Sequence, residues 1–424
     1  MQDVSLWQNW SGLQQARPYL YLPKNIESLK NLVRTHEKIR VVGAGHSFSP
    51  LAVTEDVLVQ LDQIKGIVSI DTHQCQSTVY AGTRLHDLGE KLTVSNQALI
   101  NQGDIDQQSL AGAIATGTHG TGVSLPCLSA FVKGFELMTA AGDLLWCDGE
   151  ENAEIFQAGR VSLGSLGIMT KIKMQNRSMY RLKETIRLCS LKTLFSELDQ
   201  WKEQYRHIEF FAFIHCDMVI LKTLDETQDS LEPKQDSWLD EDALLYLCAE
   251  LTRIFPMSNA YLQRLIYWMI KPSLHVDWSS RIFASVRQTK FNEMEYQMPL
   301  SQGLACFEEV FGTLQQQRVP MFFPLEFRYV KGDDIWLSPF YERDSVSISI
   351  HQFYKQDHQK IFELVEPIFL KYQGRPHWGK LHTRRGCELA EMYPKWDAFL
   401  NLRAQLDPTR KWLNPYLEEI FGLQ

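Results

Sequence analysis

The sequence predicts an α+β protein built from two different textures of chain. Up to about residue 178, short β-like runs alternate with helical patterns and glycine-rich turns. Beyond that point, longer strands with period-two alternation precede helices, the order expected of an antiparallel sheet covered by helices on one face. Length supplies the third observation. At roughly 150 residues per domain, 424 residues suggest two or three domains, enough to bury large cores without disulfide staples.

The elements follow in order. Ile26, Leu29, Leu32 and Val33 fall at helical spacing after Pro23, and residues 39–42 form a strand that runs into Gly43-Ala44-Gly45-His46-Ser47. Short strands are expected at 57–61, 67–70 and 79–81, then a helix with Leu85, Leu88 and Leu92 on one face. Residues 111–122, AGAIATGTHGTG, are nearly all small. Ile168, Thr170, Ile172 and Met174 alternate with Lys171, Lys173 and Gln175, a half-buried strand closing the first domain at about residue 178. In the second region, 210–214 and 218–221 flank a turn and predict a hairpin, and 224–242 read as an acidic solvated loop. Residues 243–270 are the most apolar stretch, interrupted by Glu250, Arg253, Pro256 and Arg264. They predict two amphipathic helices broken at Pro256 and packed in a domain core, with docking to a membrane surface as the alternative. Strands follow around 320–330 and 345–354, a helix over about 357–372, and a tail helix through Phe399, Leu402 and Leu406 stopped by Asp407-Pro408. There is no internal repeat.

Charge and cysteine content exclude several classes. With 43 Lys+Arg against 51 Asp+Glu, the net charge is -8, and no basic block suits nucleic acid. The eight cysteines are scattered without zinc spacing, which reads as buried free thiols in a reducing, cytoplasmic setting. No signal peptide or membrane-spanning run is visible. The twelve histidines are dispersed, and no metal site is expected.

Four motifs carry candidate chemistry. The Gly43-Ala44-Gly45 turn lacks a third glycine, which Phe48 replaces, so it is not a Rossmann fingerprint; it remains a turn whose bare backbone approaches a ligand closely. Gly112 to Gly117 resembles half a P-loop, but Thr118-His119 stand where Lys-Ser/Thr would be, leaving a nest that cradles a pyrophosphate or merely a close-packed turn. Glu326 and Arg328 lie at i and i+2 of a strand and share a face, as do Ser345, Ser347, Ser349 and His351 on another. These faces suit a polyhydroxylated substrate, although periodicity alone favours a solvent-exposed sheet with a surface ion pair. Arg375-Pro376-His377-Trp378-Gly379-Lys380 gathers anion-binding side chains in one short stretch.

Taken together, VVGAGHSFSPLA (41–52), QGDIDQQSLAGAIATGTHGTG (102–122), LEFRYVKGDDIWLSP (325–339), RPHWGK (375–380) and LDPTRKWLNPYLEEIFG (406–422) resemble the sugar-1,4-lactone oxidases, which belong with the alditol oxidases to the vanillyl-alcohol-oxidase flavoproteins. The resemblance implies a two-part PCMH-type FAD-binding domain, residues 1–178 plus a returning segment 386–424, with an inserted antiparallel-sheet substrate domain at 179–385. It implies FAD attached covalently through His46. The turn Gly43-Ala44-Gly45 would hold the flavin phosphates, joined by Ser109, Gly112, Thr116, Gly117, Thr118 and His119, and Val42, Ser47, Gly103 and Asp104 would also bind the cofactor. Ile168 would meet the adenine side, and Lys380 the flavin's pyrimidine edge. Glu326, Arg328, His351 and Lys380 would form the catalytic cluster, with His351 a proton acceptor or only a hydrogen bonder. Two departures stand out: His351 replaces the Thr, and Asp104 the Ser, of alditol oxidases. The implied reaction is hydride transfer from the substrate hydroxyl carbon to flavin N5, then reoxidation by O2 to H2O2. Alditol oxidation, a dehydrogenase using a quinone or cytochrome, and a non-catalytic flavin- or sugar-binding relic are the alternatives. Glycine at 103, where family dehydrogenases carry alanine, favours the oxidase.

Overall fold

The computed structural model describes residues 4–234, 241–285 and 287–423. In the first unit, β1 (Tyr19–Tyr21), β2 (Ile39–Val42) and β3 (Val57–Gln60) form a small parallel sheet with β3 central. Helix α1 (Ile26–Thr35) connects β1 to β2; Asn25 caps it by accepting from Ser28 N at 2.8 Å, and it buries Leu29, Leu32 and Val33. A second, antiparallel sheet follows, from β4 (Ile67–Asp71), β5 (Gln76–Tyr80), β6 (Val132–Met138), β7 (Leu144–Asp148) and β8 (Ile168–Gln175), in the order β7-β6-β8-β5-β4. Helices α2 (Leu85–Val94) and α3 (Leu110–Ala115) lie between β5 and β6 in sequence.

The second unit is an eight-stranded, wholly antiparallel sheet. Its strands are β9 (Arg181–Ser190), β10 (His207–Ala212), β11 (Met218–Thr227), β12 (Ser273–Trp278), β13 (Phe291–Pro299), β14 (Leu325–Val330), β15 (Ser345–Phe353) and β16 (Arg375–Pro376). They are ordered β12-β9-β11-β10-β14-β15-β13-β16. Alternation assigns the faces. Phe210, Leu221, Met294, Tyr296, Phe327 and Ile348 point to one side, where α4 (Leu191–Gln204), α7 (Gly303–Gln316) and α8 (Gln359–Lys371) cover them. The residues between them face the other way: Glu209, Lys222, Glu293, Glu295, Glu326, Arg328, Ser347 and His351. Between β11 and β12 in sequence lie α5 (Glu241–Ile254) and α6 (Asn259–Met269), joined by a short turn of helix over 256–258.

The C-terminal segment, including α9 (Trp396–Leu406), packs into the core of the first unit through Leu389, Tyr393, Phe399, Leu417 and Phe421. It is also stitched there by polar contacts. Lys411 Nζ donates to the carbonyls of Val33 and His36 at 2.6 and 2.7 Å, and Asn414 Nδ2 to those of Pro50 and Val53 at 2.8 Å. Val330, Ile335, Leu337, Phe340 and Trp378 join this same core.

Three sequence expectations change. The stretch 224–242 is not one loop: β11 continues to Thr227 and α5 begins at Glu241, with 235–240 outside the described residues. The thiols are all free, but Cys387 is exposed and Cys75 and Cys189 are only half-buried. Helices α5 and α6 do form on either side of Pro256, but they are not enclosed: Leu247, Phe255, Met257 and Trp268 are exposed.

Candidate active site

The polar face of the large sheet and the glycine-rich turns of the first unit line a cavity of about 750 Å³. A narrower one of about 140 Å³ shares Gly43, Ala44, His46, Ser47 and Thr116 with it and runs on past Val42, Gly45, Ser109, Gly112 and Ile168. The turn after β2 requires glycine for two different reasons, close contact at Gly43 and backbone conformation at Gly45. A Cβ on Gly43 would stand 2.1 Å from Ser109 Oγ, and Gly45 has a φ of +69°. Ser109 caps α3, its Oγ accepting from Gly112 N at 3.3 Å.

His46 sits where the two cavities meet. The N-terminal segment holds its turn: Trp10 N donates to the Gly45 carbonyl at 2.7 Å, Asn9 Nδ2 to that of Ser47 at 3.0 Å, and the Trp10 ring stacks on the imidazole at 5.6 Å. From the other side, Phe48 N donates to the Gly379 carbonyl at 2.7 Å and Ser49 Oγ to that of Trp378 at 2.7 Å, which brings the loop bearing Lys380 alongside. Burial pushes the His46 imidazole down to about 4, and the charges of Lys380 and Arg84 add to the effect. It is therefore neutral near pH 7, the form with a nucleophilic nitrogen.

Glu326 and Arg328 are not on a solvent-exposed sheet face. The reading that periodicity favoured fails because the first unit covers this side: Glu326 is buried and the Arg328 side chain is 12 % exposed. Arg328 donates from Nε to Glu209 Oε2 and from Nη2 to Asp104 Oδ2, both at 2.7 Å. Lys222 lies 3.0 Å from Glu209 and 3.6 Å from Glu184, and Arg287 3.2 Å from Asp104. Four carboxylates thus surround three cations. Burial pushes the Asp104 carboxyl up, but Arg328, Lys222 and Arg287 outweigh it and hold it below the usual range. For Glu326 burial wins over Arg328, with Glu209 and Asp104 adding to it, and its carboxyl is raised. Its Oε1 stands 2.5 Å from Arg328 Nη2, yet the angle makes no hydrogen bond, so this buried oxygen is left without a hydrogen-bond donor.

A second cluster adjoins it. Lys380 Nζ pairs with Glu293 at 2.5 Å and lies 3.9 Å from Glu295. Glu295 takes Ser347 Oγ at 2.8 Å, Gln297 Nε2 at 2.7 Å and His119 Nε2 at 2.6 Å. His351 lies between the clusters, with Nε2 3.5 Å from Glu293 Oε1 and Nδ1 3.3 Å from the Pro324 carbonyl. Each ring nitrogen therefore faces an acceptor oxygen, a carbonyl on one side and a carboxylate on the other.

The structure brings most of the expected residues to these cavities. Gly103, Asp104, Thr118, His119, Glu326, Arg328, His351 and Lys380 line the wider one. Gly117 lines neither; it is a buried turn residue with a φ of +73°. The His119 side chain points to Glu295 and its Nδ1 to the Gly120 carbonyl, not along the narrow cavity. Sequence reasoning missed Glu209, Lys222, Arg287, Glu293 and Glu295. Glu293, Glu295 and Gln297 have the same period-two signal as Glu326 and Arg328, and in register they face His351, Ser349 and Ser347. Nor did spacing reveal that three triads, His119/Glu295/His377, Glu293/Glu326/His351 and Asp104/Glu209/Glu326, bring possible ligand atoms within 4.8 Å. Their members come from separate strands and loops, and Lys380 and Arg328 supply positive charge at the same places.

A two-part groove, narrow and glycine-lined at one end and wide and charged at the other, fits a dinucleotide with a planar ring system. The comparisons agree. The FAD-binding domain family matches residues 18–148, and the D-arabinono-1,4-lactone oxidase family matches residues 172–420. The chain is 33% identical over 429 residues to an L-gulono-1,4-lactone dehydrogenase of Mycobacterium tuberculosis, covering 98% of this chain and 99% of that protein. It is 32% identical over 431 residues to an L-gulonolactone oxidase of Scyliorhinus torazame, covering 98% of each. A solved solvent-stable cholesterol oxidase shares the fold, with a TM-score of 0.83 at 16% identity, over 99% of this chain and 97% of that one. No described helix is long and apolar enough to cross a membrane. The chain belongs to the D-arabinono-1,4-lactone oxidase family and is an FAD-linked oxidoreductase with a PCMH-type FAD-binding fold.

Proposed function

We propose that this protein oxidises the hydroxyl of a sugar-1,4-lactone and passes the electrons to O2, with FAD held covalently by His46. The carrying observation is that Glu326, Arg328, His351 and Lys380 converge on the cavity that also exposes His46. Val42 to Ser47, Ser109, Gly112, Thr116 and Ile168 would hold the FAD. When bound, the flavin supplies the electron sink, and the chain supplies orientation, charge and proton transfer. Glu326, with its raised carboxyl and unmatched oxygen, hydrogen-bonds a substrate hydroxyl. Arg328, fixed on two sides by Glu209 and Asp104, orients Glu326 and presents positive charge toward the oxygen that loses its proton. His351 Nε2 accepts that proton, and Glu293 stabilises the resulting imidazolium. Lys380 contributes positive charge beside the flavin.

The same reading divides the chain into an FAD-binding unit, 1–178, a substrate unit, 179–385, and a returning segment, 386–424. The two large apolar cores support it, although residues 330–340 and Trp378 pack with the first unit. The eight free thiols favour the cytoplasm.

Peroxide formation by the flavin-loaded chain, screened against aldono-1,4-lactones and alditols, tests the reading. Lactones should support turnover and alditols much less. Bleaching of the flavin by lactones without peroxide would favour a dehydrogenase, as the Mycobacterium tuberculosis relative is named, and no bleaching with any lactone would overturn the substrate class.

A further inference from the structure

The N-terminal segment is braced against the His46 turn more firmly than a chain end requires. Trp7 and Gln8 pair antiparallel with Ala16 and Gln15. The residues between them are clamped onto residues 45–48: Trp10 N donates to the Gly45 carbonyl at 2.7 Å, Asn9 Nδ2 to that of Ser47 and Gln14 Nε2 to that of Phe48, both at 3.0 Å. Asn9 is buried, and its Oδ1 accepts from Gln14 N at 3.0 Å, so one side chain ties the segment both to itself and to the turn. What this brace presents to the cavity is the indole of Trp10. The ring stacks on the His46 imidazole, with centroids 5.6 Å apart and planes 25° from parallel. Its own plane is held by edge contacts to Phe291 at 5.1 Å and Phe48 at 6.2 Å.

His46 has nothing else to orient it. Among the described residues its imidazole makes no hydrogen bond and no ion pair. Every other histidine lining the wide cavity is tied through a ring nitrogen. His86 meets the Asp106 carbonyl at 3.4 Å, His119 meets Glu295 at 2.6 Å, His351 meets the Pro324 carbonyl at 3.3 Å, and His377 accepts from Gly379 N at 3.0 Å. The outer torsion of a histidine side chain is broad, so an imidazole without hydrogen bonds turns readily. A stacked ring that is itself fixed holds the imidazole plane and leaves the nitrogens at its edge unobstructed. A nucleophile needs that arrangement, since a donor on its lone pair would block it.

We propose that Trp10 is the positioning residue for covalent attachment of FAD: it holds the His46 imidazole so that a ring nitrogen meets the flavin's methyl carbon. The inference rests on His46 being the attachment point. Attachment replaces one hydrogen of that methyl group by the imidazole nitrogen, a C–N bond forming as a C–H and an N–H bond break. The two electrons and two protons released reduce the flavin, and O2 takes them to give H2O2. Orientation of this kind acts on the rate of the step and not on how tightly FAD is held.

The full-length apo chain, made under riboflavin starvation, tests this when mixed with saturating FAD. Attachment is followed as colour kept in the acid pellet, with His46→Ala as the blank. A colourless wild-type pellet, or a yellow His46→Ala pellet, overturns the attachment point and this inference with it. Trp10→Leu keeps apolar bulk but removes the ring. In the His46→Ala background, where nothing attaches, it should change FAD affinity by less than about threefold, while in the wild-type background it should slow attachment about tenfold or more. Trp10→Phe should recover most of the rate. Attachment by Trp10→Leu at the wild-type rate, equal slowing in both variants, or an affinity loss of about tenfold overturns the positioning role and leaves His46 in place. The unsubstituted apo chain gives a readout that no variant's folding can spoil. Proton resonances of the His46 ring, identified by their loss in His46→Ala, should lie upfield of the ordinary histidine range because the indole face shields them. Ordinary shifts overturn the proposal.

Discussion

Asp104 Oδ2 accepts a 2.7 Å hydrogen bond from Nη2 of Arg328, which lies 224 positions away in the chain. The contact joins a loop of the FAD-binding family match to a strand of the lactone-oxidase family match, and it makes Asp104 part of how the guanidinium is aimed. Arg328→Ala should lower kcat/KM by ~10² or more, as expected for loss of one preorganised charge. It should also cost about 3–5 kcal/mol of stability, because Glu209 and Asp104 stay buried without their main partner. Arg328→Lys should not restore activity, since a point charge cannot serve both carboxylates with fixed geometry. Steady-state kinetics beside thermal unfolding checks both; a fully active Arg328→Ala would show that the reacting oxygen lies elsewhere.

Covalent FAD at His46 predicts a yellow pellet after acid precipitation and FAD mass on the peptide containing that residue. His46→Ala should give a colourless pellet and slower reduction. The buried imidazole adds a pH signature. With its value pushed down to about 4, it stays neutral at every pH above that. Incorporation of FAD into the apo chain should hold its rate between pH 8 and 6, where an ordinary histidine would begin to protonate. A rate that halves near 6.5 would mean that the reacting imidazole is not in this environment.

Much of this could be read from the sequence, and what could not has a common cause. Alternation separated Leu325, Phe327 and Tyr329 from Glu326 and Arg328, and the structure puts the first set in the core. Period two says that a strand has two faces but not what covers each, so the Glu326 face read as solvent when another unit buries it. The partners Glu209 and Lys222 come from β10 and β11, and no spacing rule links residues that meet only through strand order. In α6 the misreading came from the apolar residues themselves: Tyr261, Leu265 and Trp268 form a stripe that looks like a core face. The helix instead turns Leu262, Ile266 and Tyr267 inward, together with Asn259 and Gln263, which bond the Met321 carbonyl.

Acid should destabilise the protein before its carboxylates titrate. Burial holds His207, His377 and His382 at about 3, 4 and 3. Their values in the unfolded chain lie near 6.5, so between about pH 6.5 and 4 the unfolded state binds protons that the folded state refuses. Folding stability therefore rises with pH across that window and is lost as pH falls, by up to about 1.4 kcal/mol per pH unit for each histidine. Unfolding temperatures of the apo chain from pH 7 to 5 should fall steadily, and His382→Gln should flatten the slope. An unchanged Tm over this range would place these imidazoles in contact with water.

The last prediction concerns oxygen. Gly103 does not have a positive φ, so the backbone conformation does not demand glycine. Space demands it instead. A Cβ there would stand 2.9 Å from the His119 carbonyl oxygen and 3.6 Å from Thr118 Cγ2, while Gly103 itself lines the wide cavity. Gly103→Ala must therefore push the 118–119 backbone by a few tenths of an ångström, at about 1–3 kcal/mol of overpacking. His119 is also tied to Glu295, so some of that strain should reach the Lys380 cluster and slow reduction by substrate slightly. If the glycine also keeps a path open for O2, reoxidation should fall by about tenfold, the effect of ~1.4 kcal/mol on one barrier, and by clearly more than reduction does. Stopped-flow measurement of the two half-reactions separates the effects. Equal losses in both make Gly103 a packing residue only, and an unchanged O2 rate in a folded variant removes the gate.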